Sequence, residues 1–318
     1  MSKEPSASSG NGVYRILALD GGGIRGFFTA QLIARLASRR PEWLGRVDFI
    51  AGTSTGAIIA LGLAMGMDAG AIAAIYEREA ERIFSASLTD RVLDAGGLIG
   101  PRYDVRKLAA ILRNVFRDVR LETLEKRVLV PAFDLDDENP DPRRRRWKPK
   151  LFHNFPTAGG DGGMLARDVA LYSSAVPAVF ASVDGYVDGG VYAANPALCA
   201  VAQSLDEGVV NPPPTLRELR VLSIGTGKSP LHIKGDSLGW GMAQWAKPLL
   251  GLVLDAGVAV VDYQCAQLLG ANYHRLNPWL DGRTILLDDA DALPLLRSAA
   301  AACDLDETLE WLDRAWLV

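Results

Sequence analysis

The sequence predicts an α/β protein in which a largely parallel sheet lies between two layers of helices, a three-layer α/β/α arrangement. Three observations carry that expectation. Short apolar runs alternate with segments of helical period from Tyr14 to Leu205, and one more run follows at Arg220 to Ile224. The first two runs break into glycine-rich turns, Asp20-Gly21-Gly22-Gly23-Ile24-Arg25-Gly26 and Gly52-Thr53-Ser54-Thr55-Gly56, and a helical pattern follows each. Hydrophobic residues make up 49% of the chain against 23% charged, enough to bury a core and to exclude disorder throughout.

In chain order, Tyr14 to Leu19 is a buried strand, because an apolar run of that length stops at Asp and three glycines. Phe27 to Leu36 is a helix closed by Pro41. Val47 to Ala51 is the second strand, and Ala57 to Met65 is a helix apolar on nearly all sides, as a helix under a sheet must be. Ala69 to Phe84 and Val105 to Phe116 read as amphipathic helices with a loop, Gly96 to Pro101, between them. Arg127 to Asp134 and Lys150 to Phe155 are strands flanking a charged insertion. Helix resumes at Asp168 to Ser174. A short strand at Tyr186-Val187 runs into Asp188-Gly189-Gly190, and another helix spans Asn195 to Leu205. After Arg220 to Ile224 the rest is mostly helical.

At 318 residues, with no internal repeat and no linker, the chain reads as a polar disordered tail (1–12) and one domain (13–318), whose C-terminal part from 231 is helical. The net charge of −4 offers no basic surface for nucleic acid. Cys199, Cys265 and Cys303 are odd in number and lack metal-ligand spacing, which points to reduced, mostly buried thiols in a cytoplasm-like compartment. The first dozen residues lack the apolar core of a signal peptide. The most apolar stretch, Leu249 to Val261, is too short to cross a membrane and carries Asp255. Together with Trp240 and Trp245 it reads as a core or homo-oligomer contact, or as a membrane-facing or lid surface.

The two glycine turns carry the chemistry. Gly52-Thr53-Ser54-Thr55-Gly56 sits between a strand and a helix, the context in which a serine is presented as a nucleophile. Its bland counterpart is a turn serine capping the next helix. The first turn offers clustered N–H groups to an anion. It also matches the dinucleotide fingerprint through Gly21, Gly23 and Gly26, but the second strand has its acid, Asp48, at the wrong end for a ribose. Gly225-Thr226-Gly227-Lys228-Ser229 ends like a phosphate loop, yet Leu222 stands where the first glycine belongs and Pro230 breaks the following helix, so it reads as a strand-end turn. A Ser-His-Asp esterase would have to draw on His153, His232 or His274, and His274 is the candidate. The basic run Arg143 to Lys148, with Trp147, directly follows an acidic one. It reads as a solvated hairpin, or else as a contact for anionic headgroups or for a phosphate-bearing regulator.

Taken together, Asp20-Gly-Gly-Gly-Ile-Arg-Gly26, Gly52-Thr-Ser-Thr-Gly56, Tyr172-Ser-Ser-Ala-Val-Pro-Ala-Val-Phe180 and Asp188-Gly-Gly190 with Asn195-Pro196 resemble the patatin-like phospholipases over Tyr14 to Leu205. The resemblance implies a patatin-like fold and a Ser–Asp dyad: Ser54 as nucleophile, Asp188 as the base. It implies an oxyanion hole from Gly22, Gly23, Ile24 and Arg25 with help from Thr55, and Gly21, Gly26, Gly52, Gly56, Gly189 and Gly190 as the glycines that shape the turns. Arg25 has two readings, a charge for the oxyanion or a structural ion pair. The substrate implied is a phospholipid or other lipid ester met at a membrane surface by a cytoplasmic enzyme, with neither metal nor cofactor. Asp134-Leu-Asp-Asp-Glu-Asn139 lacks the spacing of a calcium loop. Bacterial members also include antiphage effectors switched on by cyclic nucleotides, which adds a nucleotide activator to the expected partners. A lipid- or nucleotide-binding protein that kept the fold without the chemistry is the non-enzyme alternative.

Overall fold

The computed structural model describes residues 12–84, 100–235, 239–280 and 284–318. The tail expected at 1–12, apart from Gly12, and the loop at Gly96 to Pro101, apart from its last two residues, lie outside the described residues. Seven strands form one sheet: β1 (Tyr14–Leu19), β2 (Phe49–Gly52), β3 (Arg127–Asp134), β4 (Lys148–His153), β5 (Tyr186–Asp188), β6 (Leu219–Ile224) and β7 (Tyr273–Leu276). The order is β4-β3-β2-β1-β6-β7, and β5 pairs with β3. Every neighbour from β3 across to β7 is parallel; only β4 and β5 run antiparallel.

Alternation along β1 explains the layers. Leu17 and Leu19 join one apolar cluster with Ile50, Leu222 and Ile224, whereas Ile16 and Ala18 join a second with Phe49, Ala51 and Val221. The first cluster is covered by α1 (Gly26–Arg39), α2 (Thr55–Ala64), α3 (Ala69–Ile83), α4 (Val105–Phe116) and α5 (Ala166–Ser173). The second is covered by α7 (Ala197–Ser204), which follows the one-turn α6 (Gly190–Ala193), and by the end of α8 (Met242–Leu269) through Val261, Cys265 and Leu269. Side-chain caps start two of these helices: Asp68 accepts from the N–H groups of Gly70 and Ala71, and Asp104 from that of Arg106.

The C-terminal helices α9 (Leu293–Ala302) and α10 (Asp306–Trp311) return to the first layer. At the end of the sheet where β1 begins, Arg15 Nε donates to the Trp316 carbonyl (2.6 Å) and Trp316 Nε1 to that of Trp43 (3.1 Å). The two indoles meet edge to face at 6.2 Å. These two bonds tie the last residues to the first strand, although the Trp43 indole N–H itself is buried without a partner.

Two elements differ from the sequence expectation. β7 was not anticipated: Tyr273-His-Arg-Leu276 reads as polar, but as an edge strand it needs only Tyr273 and Leu276 buried. The apolar stretch Leu249 to Val261 is part of a 28-residue helix, α8. By length and composition Pro248–Asn272, which begins inside α8 and runs three residues past its end, passes for a membrane span, contrary to the sequence reading.

Candidate active site

β2 ends at Gly52 because the chain must turn sharply there. Ser54 has φ +55° and ψ −122°, a backbone conformation costly for a non-glycine residue, and α2 begins at the next residue. Close approach explains the flanking glycines: a Cβ on Gly52 would strike the Gly56 carbonyl, and one on Gly56 that of Leu19. The Ser54 N–H donates to Ser173 Oγ (2.9 Å), whose own hydroxyl donates to the Pro131 carbonyl on β3 (2.6 Å). Thr55 is fixed by Tyr76, their oxygens 2.5 Å apart, and it fills the space that makes Gly26 necessary.

Sheet geometry brings the aspartate to the serine. β4 occupies one edge of β3, and on the other edge β2 pairs only with Arg127–Leu129. Beyond the end of β2, β5 takes the same edge from the opposite direction, with Asp188 opposite Ala132. Ser54 and Asp188 are therefore presented tip to tip. The Ser173-Ser174-Ala175 turn holds both, since the Asp188 N–H donates to the Ala175 carbonyl (3.0 Å). Gly189 passes so close to Pro131 that a side chain there would overlap its carbonyl.

Asp188 is 3% exposed and, among the described residues, has no cation beside it. Burial pushes its carboxyl from the ordinary 3.8 up to about 7; the Ser54 hydroxyl and the Gly190 N–H (2.6 Å to Oδ1) pull the other way. Oδ2 is buried and makes no hydrogen bond of regular geometry, so the serine stands close without a closed bond. Asp20 is the contrasting case. Equally buried, it is held bidentately by Arg275, with Nη1 2.9 Å from Oδ1. Burial lowers the Arg275 pKa, but attraction and hydrogen bonds from Asp20 more than offset it, and the net shift is upward.

Both carboxyls line a cavity of about 350 Å³ together with Ser54, Gly21, Gly22 and Gly23. A Cβ on Gly21 would stand 3.3 Å from that of Ser54. Among the described residues, the N–H groups of Gly22, Gly23 and Thr55 have no protein acceptor. Ile24 and Arg25 do not share this freedom: the Ile24 N–H donates to the Leu287 carbonyl (2.8 Å) and that of Arg25 to Gly22 (3.2 Å). Arg25 lines the cavity, with one Nη donating to the Gly227 carbonyl (3.3 Å) and Nε buried without a partner. Among the described residues it makes no contact ion pair; Asp255 and Asp20 act on it only through space.

The histidines lie elsewhere. His274 sits on β7, stacked on Trp311 at 5.4 Å and hydrogen-bonded to Thr308 (2.9 Å); neither it nor His153 nor His232 lines the cavity. The Ser-His-Asp alternative through His274 therefore has no geometry behind it. Gly225 to Gly227 form the strand-end turn expected, with the Gly227 N–H bound to Asn277 (2.9 Å). The basic run is offset locally, Arg143 and Arg144 by Asp141, Arg145 by Asp136 and Lys148 by Asp137. All three cysteines are free thiols, Cys265 buried and the others half-buried. Sequence reasoning missed Ser173 as an anchor, although it lies in the Ser/Ala-rich block. It also missed Arg275, for which no local pattern exists.

Comparison with known proteins places the chain in a family. The family profile described as patatin-like phospholipase matches residues 17–201. Protein teg of Priestia megaterium is 31% identical over 95% of this chain and 99% of its own length. Two proteins named cGAMP-activated phospholipase are similar as well. That of Pseudomonas aeruginosa is 32% identical over 83% of this chain and 78% of its own, and that of Vibrio cholerae 31% over 90% and 88%. The chain belongs to the patatin-like phospholipase family and is a hydrolase of lipid esters.

Proposed function

We propose that this chain is a phospholipase A or lysophospholipase that works at a membrane surface through a Ser54–Asp188 dyad. One observation carries the reading: a buried carboxyl with no counter-cation among the described residues, its pKa pushed up to about 7, faces a serine on a strained strand-to-helix turn. Ionised Asp188 takes the Ser54 proton as Oγ attacks the ester carbonyl. The oxyanion of the tetrahedral intermediate lies against the N–H groups of Gly22, Gly23 and Thr55, with the N-terminal dipole of α2 behind them. Asp188 returns the proton to the leaving lysolipid or alcohol. It then takes one from the water that attacks acyl-Ser54, and passes that proton back to Oγ as the fatty acid leaves. The bonded N–H groups of Ile24 and Arg25 are left out of the oxyanion hole.

Fatty acid release from mixed phospholipid vesicles, with EDTA present, tests this. Wild type should release fatty acid, and Ser54→Ala and Asp188→Asn should not. Full activity in Asp188→Asn would remove the aspartate from the chemistry.

A second reading rests on the two relatives named for cGAMP activation: the same site stays idle until a cyclic nucleotide binds, as an antiphage effector would require. Addition of cGAMP would then raise vesicle hydrolysis about ten-fold or more, the range of ordinary allosteric coupling. Equal rates with and without it would mean a constitutive enzyme.

A further inference from the structure

α8 is built inside out. Between Pro248 and Asn272 its only charged residues are Asp255 and Asp262, one heptad apart, and both line the Ser54 cavity. Leu250, Leu254 and Val258 join them on that side. The opposite arc carries Leu249, Leu252, Val253, Val260 and Tyr263, between 41% and 66% exposed, and no charge. A water-facing helix normally has the reverse pattern, and so large an exposed apolar face marks an interaction site.

We propose that this outward arc, together with the exposed apolar residues at the rim of the cavity, docks the enzyme on an anionic lipid bilayer beside the mouth of the cavity. The inference rests on the lipid-hydrolase reading of that cavity. Three observations favour a membrane over another occupant. The cavity that α8 borders carries exposed apolar side chains of its own, Leu231 and Trp279, 58% and 65% exposed. Lys228 lines the same cavity, 5.8 Å over the Trp279 ring, and Lys234 follows Leu231 by three residues; both are exposed and, among the described residues, in no ion pair, which offers anionic headgroups cations on a chain whose net charge is −4. A second copy seated on this arc would crowd the opening through which substrate enters. α8 lies in the plane of the surface and does not span it, because Val261, Cys265 and Leu269 remain buried against the sheet.

The contact also reaches the chemistry. A Cβ on Gly190 would stand 2.8 Å from Leu254 Cδ2, so α8 packs directly on the turn that carries Asp188. A helix held by lipid on one face and by the catalytic turn on the other presents the site to the surface it feeds on.

The test is co-sedimentation of the full chain with phosphatidylcholine vesicles, with and without phosphatidylglycerol. Wild type is compared with the pair Leu252→Asp/Val253→Asp, and with Leu249→Ser/Val260→Ser as a milder version. None of these four residues lines the cavity. Wild type should bind better with phosphatidylglycerol present, and added salt should weaken binding. Both variants should bind at least about ten-fold less and release less vesicle fatty acid, while hydrolysing a soluble short-chain ester within about two-fold of wild type. Undiminished vesicle binding by both folded variants would overturn the proposal. So would a wild-type dimer, seen by light scattering, that the substitutions split without changing vesicle binding. Loss of soluble-ester hydrolysis and of fluorophosphonate labelling in wild type would instead strike the catalytic reading, and vesicle binding would still report on the face.

Discussion

Two apolar helices meet opposite fates beside the Ser54 cavity: α2 starts at the residue after Ser54, and α8 lines the cavity. α2 is buried nearly throughout, under the sheet and against α1, α3 and α5. α8 is more than twice as long, and only 11% of its most apolar window is buried. As strings of letters they look alike; their neighbours make the difference. α2 has tertiary partners on every side, so its start is rigid enough to hold Ser54 at φ +55°. Among the described residues α8 has partners on one side only, and the other side is apolar and exposed. Hydrophobicity alone does not tell a core helix from an interfacial one; where the charges point does.

Substitutions that test this contrast should separate in size. The largest effect is expected at the mouth of α2. Asp188→Asn should lower hydrolysis about 10³- to 10⁴-fold, the loss of a general base. The same change should stabilise the fold at alkaline pH. The native carboxyl titrates near 7 and the unfolded one near 3.8, so between those values only the unfolded state loses its proton. Native stability therefore falls through that window and stays depressed above it. The variant should melt above wild type at pH 8, by an amount on the order of a few kcal/mol, and with it near pH 4. A melting difference independent of pH would sink the assignment.

Next comes the interior of α2. Ile59→Ala should cost about 2–5 kcal/mol in denaturant unfolding, because the side chain is fully buried and leaves a cavity. Gly26→Ala should cost about 1–3 kcal/mol and slow Ser54, since the new methyl displaces Thr55 from its contact with Tyr76. Smallest is Leu252→Ala on α8, which should change unfolding free energy by less than about 0.5 kcal/mol in the absence of lipid. A loss there as large as at Ile59 would mean the face is covered in solution, against the membrane reading.

The strand–turn–helix frame was legible because glycine and short apolar runs punctuate it, and each of the two candidate glycine turns lies at the end of such a run. The Ser/Ala-rich block was visible too, but not its duty, which depends on Ser173 meeting the Pro131 carbonyl across 42 positions in sequence. β7 was illegible since an edge strand buries so few side chains, and Arg275 with it, because an ion pair to Asp20 leaves no local pattern. The candidate oxyanion donors narrowed for a similar reason. Ile24 and Arg25 belong to the same turn as Gly22 and Gly23, yet Ile24 gives its N–H to a residue, Leu287, that sequence places far away.

The central claim, that a buried and near-neutral Asp188 is the base for Ser54, is tested most directly by the rate of fluorophosphonate labelling of Ser54 against pH. In wild type that rate should rise sigmoidally with a midpoint at about 7 and plateau above it, as the carboxyl ionises. In Asp188→Asn it should be low and flat across the same range. Labelling that ignores pH in wild type, or that survives intact in Asp188→Asn, would contradict the account.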